Sequence, residues 1–148
     1  MVQKIKNVNK KIIVVEDNYA DMELTLIALK ESNTPFEIVT KRDGQDLLEY
    51  MKIVNLDEIV FILMDLNMPK INGIEVLRRF QKNEYFKNIP VVILSSSIHQ
   101  NDVNTCYSLG ANAYLKKPLD IVAFSEMTKT LVNFWSGINV LPRFGVVV

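Results

Sequence analysis

Acidic, hydroxyl and basic side chains follow four short apolar segments of the chain, at the point where each segment ends. Glu16 and Asp17 follow the first segment, Asp65 the third, Ser95 the fourth and Lys117 the fifth. If these segments are parallel strands, their carboxyl ends share one edge of a sheet, where ligands bind in folds of this class. The side chains would then form one polar cluster.

Three carboxylates in one cluster repel one another and raise one another's pKa values unless positive charge lies nearby. Lys117 supplies one positive charge, and a divalent cation would supply more. Oxygen-only ligands favour Mg²⁺. A carboxylate beside Mg²⁺, with a hydroxyl and an ammonium group, suits in-line phosphoryl transfer. Asp65 follows six consecutive apolar residues and is the predicted nucleophile. Glu16 and Asp17 would hold the metal, while Ser95 and Lys117 would bind phosphoryl oxygens.

The elements that must position these side chains are predicted from apolar patterning. Runs rich in Val and Ile, typical of strands buried on both faces, occupy 12–15, 36–39, 59–64 and 91–94, and a short fifth strand is predicted at 113–116. Helical spacing separates them, at about 20–32, 45–55, 73–83, 100–109 and 120–135. In the first helix, Leu24, Ile27 and Ala28 are expected on the buried face. The alternation predicts an α/β fold with a five-stranded parallel sheet and helices on both faces.

Composition limits the class of protein. The chain has 148 residues, with 17 Lys+Arg against 17 Asp+Glu, so a broad basic face for nucleic acid is not expected. Its apolar runs are shorter than the about 20 residues of a membrane span, and the first is too short for a signal peptide. The single cysteine, Cys106, excludes an internal disulfide. We therefore expect a cytoplasmic protein without nucleic-acid or membrane partners. We divide it into a basic tail (1–10), one domain (11–136) and an apolar tail (137–148).

Several segments together resemble the receiver domain of two-component response regulators, and in particular the single-domain kind typified by the chemotaxis regulator. The resemblance covers about residues 10–135. In chain order, it rests on Ile13-Val14-Val15-Glu16-Asp17-Asn18, Leu63-Met64-Asp65-Leu66-Asn67-Met68-Pro69, Gly73, Val92-Ile93-Leu94-Ser95 and Gly110-Ala111-Asn112-Ala113-Tyr114-Leu115-Lys116-Lys117-Pro118. It implies a flavodoxin-like (βα)5 receiver fold.

The resemblance also implies roles for individual residues. Asp65 would accept a phosphoryl group from a sensor histidine kinase or a histidine phosphotransfer protein. Glu16, Asp17, Asp65 and the backbone carbonyl of Asn67 would bind Mg²⁺. The protein would be a stand-alone response regulator that catalyses only its own phosphoryl transfer and dephosphorylation. Its output would be phosphorylation-dependent binding to another protein.

In the same family, a hydroxyl and an aromatic ring form a switch pair, which here would be Ser95 and Tyr114. Lys117 and Pro118 resemble the family's Lys-Pro pair, whose peptide bond is usually cis. Two residues depart mildly from the commonest pattern, because Ser95 replaces a threonine and Glu16 replaces an aspartate.

A narrower likeness is to the small regulators associated with bacterial phytochromes, which would make the partner kinase a light sensor. It is carried by Glu16-Asp17-Asn18-Tyr19-Ala20-Asp21, Asp65-Leu66-Asn67-Met68-Pro69-Lys70, Asn133-Phe134-Trp135 and Leu141-Pro142.

Three alternatives are weighed against this interpretation. A docking module could keep the fold without using the site. A phosphatase of the haloacid dehalogenase type would need an acid two residues after its nucleophile, where this chain has Asn67. A flavodoxin-like cofactor binder would need a phosphate loop after the first strand, where Glu16 and Asp17 would repel a phosphate.

The residues outside the cluster have simpler explanations. His99 and Lys116 are expected at the surface, and Cys106 is expected to be a small buried hydrophobe. The apolar tail either folds back on the domain or makes a contact in a homodimer or with a partner.

Overall fold

A computed structural model describes residues 10–144, so nine residues of the basic tail and the last four of the apolar tail lie outside the described residues. Strands and helices alternate along the chain in the predicted way: β1 (Lys11–Val15), α1 (Tyr19–Glu31), β2 (Glu37–Lys41), α2 (Gly44–Met51), β3 (Ile59–Met64), α3 (Gly73–Gln81), β4 (Val91–Ser95), α4 (Gln100–Ser108), β5 (Ala113–Lys116) and α5 (Ile121–Asn133). A 3-10 turn, Leu56–Glu58, precedes β3, and a π-helical turn, Phe134–Ile138, follows α5.

The five strands form one parallel sheet in the order β2-β1-β3-β4-β5. Alternate residues of each central strand enter cores on opposite faces. One core holds Ile13, Ile62 and Ile93 with residues of α2, α3 and α4, and the other holds Val14, Leu63 and Val92 with residues of α1 and α5. The predicted fold class, a parallel sheet with helices on both faces, is therefore confirmed. The strand order reverses between β1 and β3, the place where open α/β sheets bind ligands.

Two sequence expectations about burial are wrong. Strand β2 is partly exposed rather than buried on both faces, because it lies at the edge of the sheet. In α1 the buried residues are Thr25, Ala28 and Leu29, while Ile27 is about half exposed. Thr25 can be buried because its hydroxyl donates to the carbonyl of Asp21 at 2.8 Å, which satisfies its polar group.

Helix α2 ends at Met51, four residues before the predicted end. Asn55, assigned to that helix from the sequence, instead caps the following 3-10 turn by accepting a hydrogen bond from the amide of Asp57 at 3.1 Å. Asn residues favour such caps over helix interiors because their side chains bond nearby backbone groups.

The chain beyond α5 folds back on the domain as far as the structure describes it. Trp135 is buried, with its ring centroid 5.7 Å from that of Phe61 in β3. Leu141 and Phe144 pack against the two cores, and the Phe144 amide donates to Oδ1 of Asp57 at 2.7 Å. Between residues 10 and 144, no helix is both long enough and apolar enough to span a bilayer.

Candidate metal and phosphoryl site

Hydrogen bonds that extend the sheet beyond its strands fix the residues of the predicted cluster. The amide of Glu16 donates to Lys41 at 3.0 Å, and that of Asp65 donates to Val15 at 3.1 Å. The amide of Lys117 donates to the carbonyl of Ser95 at 2.9 Å. The backbone is therefore held by the sheet at the point where each of these side chains leaves it.

Three acids meet at this edge of the sheet. One carboxylate oxygen each from Glu16, Asp17 and Asp65 lie within 4.8 Å of one another. Glu16 and Asp65 are buried, whereas Asp17 is exposed. Asn67 lies two residues beyond Asp65, and its amide makes a long 3.5 Å contact to Oδ1 of Asp65. An all-oxygen set that is half buried and half open to water fits a hard cation such as Mg²⁺, which retains several of its waters.

Lys117 neutralises part of this negative charge. Its Nζ lies 2.8 Å from Oε2 of Glu16, 2.9 Å from Oδ2 of Asp21 and 3.2 Å from Oδ2 of Asp65. Burial of the ammonium lowers its pKa, but the hydrogen bonds to Glu16 and Asp21 and the charge of Asp65 outweigh that effect. The net result is a pKa above the usual value, so Lys117 is charged at neutral pH.

Glu16 is the acid whose ionisation is most affected by its surroundings. Burial and the neighbouring charge of Asp65 raise the pKa of Glu16 to about 7, although the hydrogen bonds from Lys117 and from the Asn18 amide oppose the rise. Glu16 therefore exchanges a proton near neutral pH in the absence of a bound cation.

Asp21 is a member of the site that the sequence analysis did not assign. It lies in the first turn of α1, where Oδ1 of Asn18 caps the helix by accepting from the Asp21 amide at 3.0 Å. A signal was present in the sequence: Asp21 follows Asp17 by one helical turn, so a helix that starts beside Asp17 directs it toward the same edge of the sheet.

The two predicted switch residues are joined through Ser97. The Ser97 amide donates to Oγ of the fully buried Ser95 at 3.1 Å, and Oη of Tyr114 donates to the Ser97 carbonyl at 2.7 Å. Oγ of Ser97 donates to Oδ2 of Asp102 in α4 at 2.8 Å. The loop between β4 and α4 thus connects Ser95, Tyr114 and α4 through one residue.

Comparison with known proteins identifies the family of the chain. Residues 12–129 match the response regulator receiver domain. The chain belongs to that family. Receiver domains are signalling proteins, and this family is neither that of the haloacid dehalogenase phosphatases nor that of the flavodoxin-like cofactor binders.

The receiver domain is similar to small regulators of cyanobacteria and other bacteria. It is 35% identical over 140 residues to response regulator Rcp1 of Synechocystis, covering 92% of this chain and 95% of Rcp1. The Mn²⁺-bound form of Rcp1 superposes with a TM-score of 0.80, covering 90% of this chain and 99% of that one.

Two further solved structures are similar over almost their whole length. The phosphorylated cyanobacterial phytochrome response regulator RcpA is 38% identical, with a TM-score of 0.81, covering 91% of this chain and 99% of that one. The regulator RPA3017, in red light signalling of R. palustris, is 28% identical, with a TM-score of 0.82 and the same coverage. The likeness to phytochrome-associated regulators inferred from the sequence is confirmed.

One expectation taken from the receiver family is wrong in this structure. The peptide bond between Lys117 and Pro118 is trans, since residues 10–144 contain no cis peptide bond. The lysine still reaches the acids, because the hydrogen bond from its amide to Ser95 fixes the backbone from which the long side chain extends.

Two glycines hold the receiver's loop between β3 and α3, which begins at Asp65. The Gly44 amide donates to the Ile71 carbonyl at 3.1 Å, and a Cβ on Gly44 would lie 2.3 Å from that oxygen. The Gly73 amide donates to Leu66 at 2.9 Å, and a Cβ on Gly73 would lie 2.7 Å from the carbonyl oxygen of Asp65. Both positions therefore exclude any larger residue without movement of the loop.

The residues expected to lie outside the site do so. His99 is exposed at the start of α4, and Lys116 is an exposed lysine beside the one in the site. Cys106 is buried in the core, and burial together with the charge of Asp102 raises the pKa of its thiol to about 11.

Proposed function

We propose that Asp65 is the phosphoryl acceptor of this response regulator. A carboxylate oxygen of Asp65 attacks phosphorus and forms a new P–O bond. The bond from phosphorus to the leaving group breaks, and that group departs with the electron pair. The observation that carries the proposal is the position of Asp65, which lies buried at the end of β3 with the metal-binding acids and the Lys117 ammonium beside it.

Mg²⁺ is the proposed cofactor, held by Glu16, Asp17, Asp65 and the backbone carbonyl of Asn67. Bound there, the cation would neutralise the charge that gathers on the phosphoryl oxygens during transfer. The chain's own contribution is to hold Asp65 in place through the sheet and to present the Lys117 ammonium to another phosphoryl oxygen. The support is the all-oxygen donor set and its geometry.

Ser95 and Tyr114 are proposed to report the phosphorylation of Asp65. If the Ser95 hydroxyl turns to the phosphoryl group, it gives up its bond with the Ser97 amide. The carbonyl of Ser97 accepts the hydrogen bond from the hydroxyl of Tyr114. A change at Asp65 would thereby alter the surface near α4 and β5 and shift the equilibrium between two states. Binding of a partner protein to that surface would be the output.

The proposed phosphoryl donor is a sensor histidine kinase or a histidine phosphotransfer protein, and more narrowly a phytochrome-type light sensor. The support is the similarity to RcpA, a phytochrome response regulator, and to RPA3017, a regulator in red light signalling. We place this exchange in the cytoplasm, with no reaction catalysed beyond the regulator's own phosphorylation and dephosphorylation.

A homodimer is the proposed oligomeric state of the phosphorylated form. Exposed apolar side chains gather after α5, where Phe134, Ile138 and Val140 are 44%, 73% and 89% exposed. Apolar side chains concentrated in one segment favour an interface. A shift in size-exclusion elution on phosphorylation would support the dimer, and an unchanged monomer would contradict it.

The test is incubation with acetyl phosphate and Mg²⁺, followed by intact mass. The wild type should gain one phosphoryl group with release of acetate, only when Mg²⁺ is present, and Asp65→Asn should gain none. Asp57→Asn is the matched control and should be labelled like the wild type, because Asp57 lies at the opposite end of β3. Folded wild-type protein without an adduct would contradict the proposal and favour a docking module that does not use its site.

A further inference from the structure

Three carboxylates bind Lys117, and one of them has no predicted role in holding the cation. Glu16 and Asp65 both belong to the group of three acids, completed by Asp17, that could hold the cation, whereas Asp21 does not. Asp21 Oδ2 is nevertheless as close to Nζ of Lys117, at 2.9 Å, as Glu16 is at 2.8 Å.

The backbone of Asp21 is fixed on both sides. Its amide donates to the cap residue Asn18, and its carbonyl accepts from the hydroxyl of buried Thr25 at 2.8 Å. Helix α1 packs against α5 on one face of the sheet, so the carboxylate extends from a rigid element. Asp21 therefore holds the ammonium from helix α1, whose backbone is fixed at this residue.

An ammonium group has three N–H donors, and all three have carboxylate partners here. A cation on Glu16 and Asp65 would compete with Lys117 for those two carboxylates. A phosphoryl group on Asp65 would further change the contact between Lys117 and Asp65. Asp21 is the one of the three partners that neither event occupies.

We propose that Asp21 is a positioning residue for phosphoryl transfer: it anchors the Lys117 ammonium at the site while the cation and the phosphoryl group occupy its other two partners. The inference rests on the proposed function of Asp65. Asp21 acts through Lys117, so its loss should affect the interaction with the phosphoryl group more than the binding of the cation.

The test compares Asp21→Asn with wild type in three measurements. These are Mg²⁺ affinity by calorimetry, affinity for beryllofluoride in the presence of Mg²⁺, and the rate of labelling by acetyl phosphate at saturating Mg²⁺. Beryllofluoride mimics a phosphoryl group without forming an aspartyl phosphate, so it reports positioning independently of turnover. We expect Asp21→Asn to lose about tenfold in beryllofluoride affinity and labelling rate, as for one hydrogen bond to a charged group, with Mg²⁺ affinity changed less than about threefold.

Glu23→Gln is the control, because it removes the same charge from the same helix at a residue that is not one of the three partners of Lys117. It should match the wild type in all three measurements. The inference is overturned if Asp21→Asn is labelled as fast as wild type or faster, if Glu23→Gln shares its loss, or if Mg²⁺ affinity falls by the same factor as the rate. Wild-type protein that gains no adduct would instead overturn the function proposed for Asp65, and this inference with it.

Discussion

The ammonium of Lys117 and the carboxylate of Glu16 form the shortest ion pair of the site, with 2.8 Å between Nζ and Oε2. The other oxygen of Glu16 accepts from the Asn18 amide at 3.1 Å. Even with these two partners, the pKa of Glu16 is raised to about 7 by its burial and by the charge of Asp65. A proton would therefore compete at neutral pH with the Mg²⁺ that we propose Glu16 binds.

Mg²⁺ affinity should consequently depend on pH. Below about 7 the cation must displace a proton from Glu16, so affinity is expected to rise about tenfold between pH 6 and pH 8 and to level off above that. Calorimetry at a series of pH values measures this. Asp17→Asn should bind more weakly but keep the dependence, whereas Glu16→Gln should lose it. An affinity in the wild type that is constant from pH 6 to pH 8 would rule out this competition.

Replacing Gly44 by Ala should destabilise the domain by about 1–3 kcal/mol, because a Cβ would lie 2.3 Å from the backbone oxygen of Ile71 and the loop would have to move. Gly137→Ala is the matched control: apart from its own helix, nothing in residues 10–144 lies within 4 Å of a Cβ there, so stability should stay within about 1 kcal/mol of wild type. Urea unfolding followed by circular dichroism tests both. Equal stabilities for the two variants would show that the loop yields without cost.

Ser97→Ala should loosen the start of α4. His99, at the N-cap of that helix, provides no side-chain cap, and Oγ of Ser97 instead accepts from the His99 amide at 3.4 Å while donating to Asp102. We expect faster amide hydrogen exchange at residues 99–103 and a loss of about 0.5–1.5 kcal/mol in stability. The exposed neighbour provides the comparison, since Ser96→Ala should leave exchange unchanged. Identical protection in the two variants would contradict the role of Ser97.

Cys106 should resist thiol reagents in the folded protein. Burial raises the pKa of its thiol to about 11 from a reference value of 9.0, so almost no thiolate is present at pH 8. The unfolded chain loses this proton at a lower pH than the folded protein does. The contribution of Cys106 to the free energy of unfolding is therefore fully present below about pH 9 and is lost as pH rises toward 11. Labelling with a chromogenic disulfide at pH 8 should require denaturant. Rapid labelling of native protein would contradict the burial of this residue.

Much of the site was predictable because it depends on the type of residue that comes directly after each strand. Runs such as 59–64 mark buried strands by composition alone, and the residue after such a run must lie at the carboxyl edge of the sheet. Glu16, Asp17, Asp65 and Lys117 were therefore brought together correctly by a prediction that used only strand order and polarity.

Asp21 and Ser97 could not be assigned in the same way, for different physical reasons. Asp21 is an ordinary helix-start acid by position, and its direction depends on where α1 begins relative to the sheet. Ser97 joins Ser95 to Tyr114 through its amide and carbonyl, which every residue has, so its side-chain type could not indicate that connection. The predicted buried face of α1 was wrong because hydrophobicity ranks Ile27 above Thr25. The Thr25 hydroxyl can nevertheless be buried, since it donates to a backbone carbonyl.

The packing of Trp135 on Phe61 has a consequence for spectroscopy. Trp135 is the single tryptophan of the chain. Its ring partner Phe61 lies four residues before Asp65, which is a separation of about 13 Å along the strand direction. The indole lies in the core beneath α1 and α5, remote from the acids. Its fluorescence should therefore report whether α5 stays packed on the sheet. It should remain nearly constant when a cation binds or when Asp65 is phosphorylated.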